Sequence, residues 1–165
     1  ITYHPVTLEK NTSQFQMEAL LNVLGGLKNT NLIFTKPNAD TDGKIIIQMI
    51  DQFVSDHPEN SISVTSLGQL NYLSALQFVD AVIGNSSSGI IEAPSFKIPT
   101  INIGDRQKGR IKATSIIDCE PMEKSIHQAL KKAYSEQFKE ELNSTINPYG
   151  EGGASKKIKD IVDNS

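Results

Sequence analysis

Short apolar segments that alternate with helical patterns constrain the fold of this chain more than any other feature. They lie at 31–35, 61–65, 81–83, 99–103 and 115–118, and a further one runs from the first residue into His4. Most are apolar on both faces, which is typical of parallel strands covered by helices on each side. Regular strand–helix alternation therefore predicts an α/β fold with a doubly wound parallel sheet. In such a sheet, ligands bind at the carboxyl ends of the strands.

The composition excludes several classes of function. The chain of 165 residues is long enough for one domain with a core, and its net charge of −3, without a basic tail, disfavours a nucleic-acid partner. No apolar run approaches the ~20 residues that span a bilayer, so no membrane partner is expected. Three scattered histidines and the single Cys119 form no metal-ligand cluster, and one cysteine fits a reducing, cytoplasmic location. The sequence also lacks a P-loop and a dinucleotide-binding fingerprint.

Three serines between two glycines give the strongest local signal for a ligand. A buried strand leads into Gly84, the serines and Gly89, and Glu92 follows. Hydroxyls and free backbone N–H groups at a helix start bind phosphate, and glycines allow a tight turn and close approach to a ligand. The simpler alternative is a plain helix cap, for which one serine suffices. Glu92 would either close a capping box onto Gly89 or accept hydrogen bonds from ribose hydroxyls.

Other polar features also follow predicted strands. They are His4, Asn38, the Leu67–Gly68 pair and the loop with Arg106, Lys108 and Arg110. Arg106 suits bidentate contact with phosphate, although a solvated basic loop would carry the same residues. His4 would donate to phosphate or transfer a proton, or it would be a structural histidine. Because the carboxyl ends of parallel strands share one edge, we expect these features to meet there.

Five segments together closely resemble a known family. In chain order they are TYHPVT at 2–7, KPNADTDG at 36–43, GNSSSGIIEAPSF at 84–96, INIGDRQKGR at 101–110 and NPYG at 147–150. They resemble the carboxy-terminal half of the hydrolysing UDP-N-acetylglucosamine 2-epimerases, and the likeness extends over essentially the whole chain. The non-hydrolysing epimerases usually carry an acidic Gly-Asp-Ser-Gly-Gly turn in place of the serine run.

The resemblance implies a Rossmann-like sheet that is one half of a two-domain enzyme of the glycosyltransferase-B type. Residues 1–165 would be its nucleotide-binding carboxy-terminal domain, and the catalytic carboxylates would lie in an amino-terminal domain absent from this chain. The family converts UDP-N-acetylglucosamine and water to N-acetylmannosamine and UDP, which feeds sialic or related nonulosonic acid synthesis. The chain alone is expected to bind UDP weakly and to lack epimerase activity. The full-length enzyme is expected to form a homo-oligomer.

The resemblance also implies roles for individual residues, without a metal or cofactor. His4 would be the catalytic residue on this chain, on the diphosphate or sugar side of the substrate. The substrate-binding residues would be Asn38 for the nucleotide, Leu67 for the uracil through its backbone, Ser86 and Ser87 for the phosphates, Glu92 for the ribose and Arg106 for the diphosphate. Lys97 stands where the family often has glycine, so a positive φ there would strain it.

Three alternatives to this function remain. The first is an epimerase of a different nucleotide sugar, of the GDP- or UDP-bacillosamine type; a GDP-linked substrate would require a different base pocket near Leu67. A glycosyltransferase of the same fold would require an acceptor. A non-catalytic nucleotide-sensing domain would lack catalytic carboxylates in the preceding sequence.

Overall fold

The computed structural model describes residues 1–6, 12–39, 41–150 and 152–163. The strands are β1 (Leu32–Thr35), β2 (Ser61–Val64), β3 (Val82–Gly84), β4 (Thr100–Ile103) and β5 (Ile116–Cys119). The α-helices are α1 (Thr12–Gly25), α2 (Thr41–Asp56), α3 (Gly68–Ala75), α4 (Ser88–Ile91), α5 (Glu123–Ala133), α6 (Glu136–Asn143) and α7 (Ala154–Asp163). A 3-10 turn covers Ala93–Phe96. Each of the five strands lies within one residue of the predicted bounds.

The first residues of the chain occupy the centre of the sheet. All strand pairs are parallel, β1 with β2 on one side and β3 with β4 and β5 on the other. Thr2 joins the two groups, because it bridges Thr35 of β1 and Gly84 of β3. The Thr2 N–H donates to Ile83 O at 3.0 Å, and the Asn85 N–H donates to Thr2 O at 3.1 Å. The order β2, β1, Thr2, β3, β4, β5 confirms the predicted parallel sheet and places its switch point between Thr2 and β3.

Helices cover both faces of this sheet. α1 contacts α2 and α5, whereas α4 packs against β3 and β4. Because the connections lead away from Thr2 in opposite directions, right-handed crossovers place α1 and α2 on one face and α3 and α4 on the other. The largest fully buried side chains include Tyr3, Met17, Leu20, Phe34, Ile46, Ile50, Ile90, Ile101, Ile103 and Ile126. Their burial fixes the strands whose carboxyl ends carry the polar residues.

The helix predicted after the serine run is short. α4 is a single turn of four residues, and the 3-10 turn at Ala93–Phe96 follows it. Pro94 explains the change, because it has no N–H to donate to Ile90 O and so cannot continue an α-helix. A one-turn helix has a small dipole. Side-chain hydroxyls, more than the dipole, must therefore supply any anion binding at this turn.

Lys97 has the left-handed conformation that would strain it, with φ 54° and ψ 36° at the end of the 3-10 turn. Its ammonium donates to Asn143 O at 2.8 Å. Lys97→Gly and Lys97→Ala both remove that hydrogen bond, but only alanine keeps a Cβ in the left-handed region. We expect the glycine variant to have the larger free energy of unfolding in urea, by about 1 kcal/mol.

The same pair of substitutions at Gln128, inside α5, is the control for this prediction. There the alanine variant is expected to have the larger free energy of unfolding, by about 1 kcal/mol, because the backbone is helical. An alanine variant at Lys97 as stable as the glycine variant would show that the left-handed backbone at this position carries no strain.

Candidate functional site

A pocket of about 450 Å³ lies beside the switch point of the sheet. Its walls come from the strand ends at Thr2, Thr35 and Lys36, from the loop at 65–69 that leads into α3, and from Ser88 and Glu92. It therefore lies where ligands bind in doubly wound folds. A groove of about 540 Å³ between Leu27 and α5 is apolar and is lined by none of the predicted site residues.

The structure brings Leu67 and Glu92 together in this pocket. Leu67 is the residue before α3, and its side chain makes no capping hydrogen bond. Gly68, which begins the helix, has a φ of 68°, and no heavy atom lies within 4 Å of the position that a Cβ would occupy. The space beside the Gly68 backbone is thus open where a Cβ would project, and Gly68 lines the pocket. A flat base would have room to approach the chain there.

Glu92 lines the pocket and has one buried carboxylate oxygen. Its carboxylate oxygen Oε2 is shielded from solvent and has no hydrogen-bond partner in the described part of the chain. Burial raises the pKa of Glu92 above its ordinary value, and a hydrogen bond from its own backbone opposes that rise. The capping-box alternative is wrong, because α4 begins at Ser88 and Glu92 follows its last residue. Because Glu92 lines the pocket and is only half-buried, its carboxylate can accept hydrogen bonds from a ligand there.

Hydroxyl groups form a connected row along one wall. The Tyr72 hydroxyl donates to Ser88 Oγ at 3.0 Å, and Ser88 Oγ lies 3.0 Å from Ser86 Oγ. Ser87 occupies the N-cap position of α4, but its side chain makes no capping hydrogen bond. One contact of the capping type is present, from the Ser88 N–H to Ser86 Oγ at 3.4 Å, which leaves the Ser87 hydroxyl without a part in capping. The row links the pocket at Ser88 to the turn at Ser86.

Asn85 organises the turn, and sequence reasoning gave it no role. It is 1% exposed. Its side chain accepts from the His4 N–H at 2.7 Å and donates to His4 O at 2.8 Å. Its own carbonyl accepts from Arg106 Nη1 at 3.1 Å and from Gln107 Nε2 at 2.8 Å. Asn85 thus brings the His4 backbone and the Arg106 guanidinium to the start of the serine run.

Other predicted residues lie apart from the pocket. Asn38 is exposed and is not among the residues that line it. Thr7 and Asp40, two members of the segments that carry the resemblance, lie outside the described residues. Lys36 lines the pocket although it was not assigned there, and it pairs with Asp51 at 2.6 Å. Its position directly after β1 was the available signal.

The two glycines of the serine run have roles different from those predicted. A Cβ on Gly84 would lie 1.9 Å from Thr2 O, and one on Gly89 would lie 2.7 Å from Thr100 Cγ2. The glycines therefore permit close packing within the protein, and their role in letting the backbone approach a ligand stays a prediction. Packing at Gly84 is what allows Thr2 to sit between β1 and β3.

Cys119 has no features of a nucleophile. Burial, with Asp118 and Glu120 beside it, raises the pKa of its thiol to about 12, so at neutral pH it carries its proton. Among the described residues no group of three or more His, Cys, Asp or Glu side chains is arranged to hold a metal ion. In the same part of the chain, none of the helices has the length and apolarity needed to cross a membrane.

A family model for UDP-N-acetylglucosamine 2-epimerase matches residues 1–163. The chain belongs to this family. Among its relatives, the GDP/UDP-N,N'-diacetylbacillosamine 2-epimerase (hydrolyzing) of Campylobacter jejuni is 45% identical over 140 residues, which are 85% of this chain and 36% of that protein. Polysialic acid biosynthesis protein P7 of Escherichia coli is 37% identical over 150 residues, 90% of this chain and 38% of that protein. This member of the epimerase family thus spans about two fifths of the length of its curated relatives.

Solved structures support the fold of this epimerase family member. The UDP-GlcNAc 2-epimerase of Methanocaldococcus jannaschii, in complex with UDP-GlcNAc and UDP, superposes with a TM-score of 0.73 at 15% identity, and the match covers 99% of this chain and 44% of that one. Staphylococcus aureus MnaA, solved with UDP, gives a TM-score of 0.72 at 18% identity and covers 95% of this chain and 42% of that one. The predicted glycosyltransferase-B-like architecture is confirmed, with this chain matching less than half of each structure.

Proposed function

We propose that this chain is the carboxy-terminal, nucleotide-holding part of a hydrolysing 2-epimerase that acts on a UDP-sugar. The first candidate substrate is UDP-N-acetylglucosamine, for which the products are N-acetylmannosamine and UDP. Membership of the epimerase family supports the reaction class. Relatives named as hydrolyzing support the use of water, and the polysialic acid protein supports a place in sialic or related nonulosonic acid synthesis.

The observation that carries this proposal is the pocket that Glu92 lines together with Leu67 and Gly68. Uracil would lie along the backbone of Leu67 and Gly68, and the ribose hydroxyls would donate to the carboxylate of Glu92. The diphosphate would then extend toward Ser86 and Ser87. In this arrangement the polar groups of the pocket pair with the ribose hydroxyls and phosphates of a uridine nucleotide.

The far side of the turn would bind the departing diphosphate. Arg106, fixed beside Asn85, would neutralise its developing charge, and His4 would contact the diphosphate or the sugar from the central strand. Positioned donors of this kind stabilise a leaving group because they need no reorientation during the reaction. Asn38 would contact the nucleotide from the loop after β1. The carboxylates that move protons on the sugar would lie outside this chain, so the chain alone would not catalyse the epimerase reaction.

A second candidate substrate is UDP- or GDP-linked N,N'-diacetylbacillosamine. The relative from Campylobacter jejuni carries that activity in its name at 45% identity, whereas the UDP-N-acetylglucosamine 2-epimerase of Neisseria meningitidis is 30% identical over 162 residues. The difference between the two candidates lies in the sugar and, for GDP, in the base. Only the base would contact the Leu67 side of the pocket.

Calorimetry with UDP, GDP and uridine tests the proposal. We expect the folded chain to bind UDP in the range of high micromolar to millimolar Kd, and to bind uridine more weakly. Tighter binding of GDP than UDP would favour the GDP-linked substrate. No binding of UDP at millimolar concentration, with folding verified by circular dichroism, would refute the proposal. Release of N-acetylmannosamine by this chain alone would refute the assignment of catalytic carboxylates elsewhere.

Glu92→Gln is expected to weaken UDP binding while stabilising the fold. Loss of one charged acceptor for ribose hydroxyls would weaken UDP binding about tenfold. Because burial raises the pKa of Glu92 in the folded state, its ionised form destabilises the fold at neutral pH. The variant should therefore have a higher thermal unfolding midpoint than the parent chain at pH 7. Calorimetry and a thermal melt measure the two effects.

Because the pKa of Glu92 is raised, both the stability and the ligand affinity that depend on this residue should change with pH. The stability advantage of Glu92→Gln should shrink as the pH falls through the raised pKa, and vanish below the ordinary value of about 4.5. Uridine affinity of the parent chain should fall over the same range, since a protonated carboxyl is a poorer acceptor. Glu140→Gln, on an exposed position of α6, is the control and should change neither quantity. A Glu92→Gln variant with unchanged UDP affinity would remove Glu92 from the ribose site.

A further inference from the structure

The Tyr72 hydroxyl is the first member of the hydroxyl row in the pocket wall. Tyr72 is half-buried on α3, and its oxygen donates to Ser88 Oγ at 3.0 Å. Ser88 Oγ lies 3.0 Å from Ser86 Oγ, and the Ser88 N–H also points to Ser86 Oγ at 3.4 Å. Two groups on Ser88 thus face the oxygen of Ser86. The row ends at the residue assigned to phosphate in the proposed function.

Each hydroxyl in this row has one proton, so the direction of donation decides which proton is left over. Tyr72 donates to Ser88, and a hydroxyl that accepts a hydrogen bond becomes a better donor in turn. Ser88 therefore donates to Ser86 in the cooperative arrangement. In the reverse arrangement Ser88 would receive two donors, and the bonds would weaken one another. The cooperative direction leaves the Ser86 proton without an acceptor in the described part of the chain.

We propose that Tyr72 is a positioning residue, which sets the direction of the Tyr72–Ser88–Ser86 row so that the Ser86 hydroxyl donates to the phosphate of the bound nucleotide. This inference rests on the proposed function, because it names how that site orients one of its donors. It concerns the hydroxyl of Tyr72 alone. The ring contributes to the pocket wall whether or not the hydroxyl is present.

The environment of Tyr72 keeps it a donor. Burial raises its pKa above the ordinary value of 10.0, and the charge of Glu92 raises it further, while the hydrogen bond to Ser88 lowers it. The phenol therefore holds its proton throughout the neutral range. A phenol is also a more acidic donor than a serine hydroxyl, which favours donation from Tyr72 to Ser88 over the opposite direction.

Tyr72→Phe tests the inference, since it removes the hydroxyl and keeps the ring. We expect UDP to bind about tenfold more weakly to the variant, because the Ser86 proton is no longer directed at phosphate. Uridine, which has no phosphate, should bind with unchanged affinity. A role in shaping the pocket alone would weaken both ligands equally. Calorimetry or ligand-observed NMR with the 165-residue chain measures both affinities.

Two further variants complete the experiment. Ser88→Ala interrupts the row at its middle and should reproduce the selective loss, and combining it with Tyr72→Phe should add little. Tyr134→Phe, on a tyrosine outside this pocket, is the matched control and should change neither affinity. Unchanged UDP binding in folded Tyr72→Phe and Ser88→Ala, or equal losses for uridine and UDP, would overturn the inference. A parent chain that binds neither ligand would overturn the proposed function itself, and this inference with it.

Discussion

Gly84→Ala is expected to destabilise the chain by at least about 4 kcal/mol, and so to leave little of it folded. A Cβ at this position would lie 1.9 Å from Thr2 O and 2.7 Å from the Thr2 carbonyl carbon, in backbone that is hydrogen-bonded on both sides. The φ of 138° adds a conformation that side chains rarely adopt. Because Thr2 joins β1 to β3, moving Thr2 away from Gly84 would separate the two halves of the sheet. Urea unfolding followed by circular dichroism measures the loss.

Gly104→Ala is the matched control for this prediction. Gly104 also has a positive φ, 71°, but no heavy atom lies within 4 Å of its would-be Cβ. The Gly104→Ala variant should lose only about 1 kcal/mol of stability, because alanine is strained in this backbone conformation. The difference between the two variants isolates the steric clash with Thr2. Similar small losses in both would show that the switch point tolerates a wider separation of the central strands.

The elements were predictable because each has a local signal. Five apolar segments became β1 to β5 with nearly the predicted bounds, since short apolar runs between helical patterns favour parallel strands. The position of Thr2 in the centre of the sheet was not predictable from local pattern. Its partners, Thr35 and Gly84, are distant in sequence, and nothing near Thr2 specifies them.

The serine run shows where local chemistry was a guide and where it was not. Its polar character and its place after a strand were enough to indicate a candidate site. Pro94 was a visible signal in the sequence for an early end of α4. The packing roles of Gly84 and Gly89 depend on Thr2 and Thr100, which only the folded chain brings near them.

Asn85 escaped sequence reasoning for a related reason. An asparagine between glycine and serine is ordinary in a turn, so its type alone indicates nothing more. Its importance comes from His4, which lies 81 positions away, and from the pair Arg106 and Gln107. A polar residue that directly follows a buried strand at a sheet edge was the only available signal. Burial at 1% exposure turns that residue into an anchor for the site.

Asn85→Asp is expected to destabilise the chain by about 3 kcal/mol at pH 7. The new carboxylate keeps an acceptor for the His4 N–H, but it places a second oxygen against His4 O where Nδ2 now donates at 2.8 Å. Two acceptors would then face each other in a buried position, with a charge that water does not reach. UDP affinity should fall as well, because the same turn positions His4 and Arg106.

The destabilisation by Asn85→Asp should depend on pH in a defined direction. Repulsion and burial would raise the pKa of the new carboxyl in the folded state, so the penalty should grow as the pH rises above about 4 and nearly vanish below it. The protonated carboxyl has an O–H that restores donation to His4 O. Asn31→Asp, on an exposed position before β1, is the control and should show no such pH dependence. Urea unfolding measures this dependence. A loss of stability that stays constant between pH 4 and 8 would mean that the side chain of Asn85 does not donate to His4 O, and that another contact anchors the central strand to the turn.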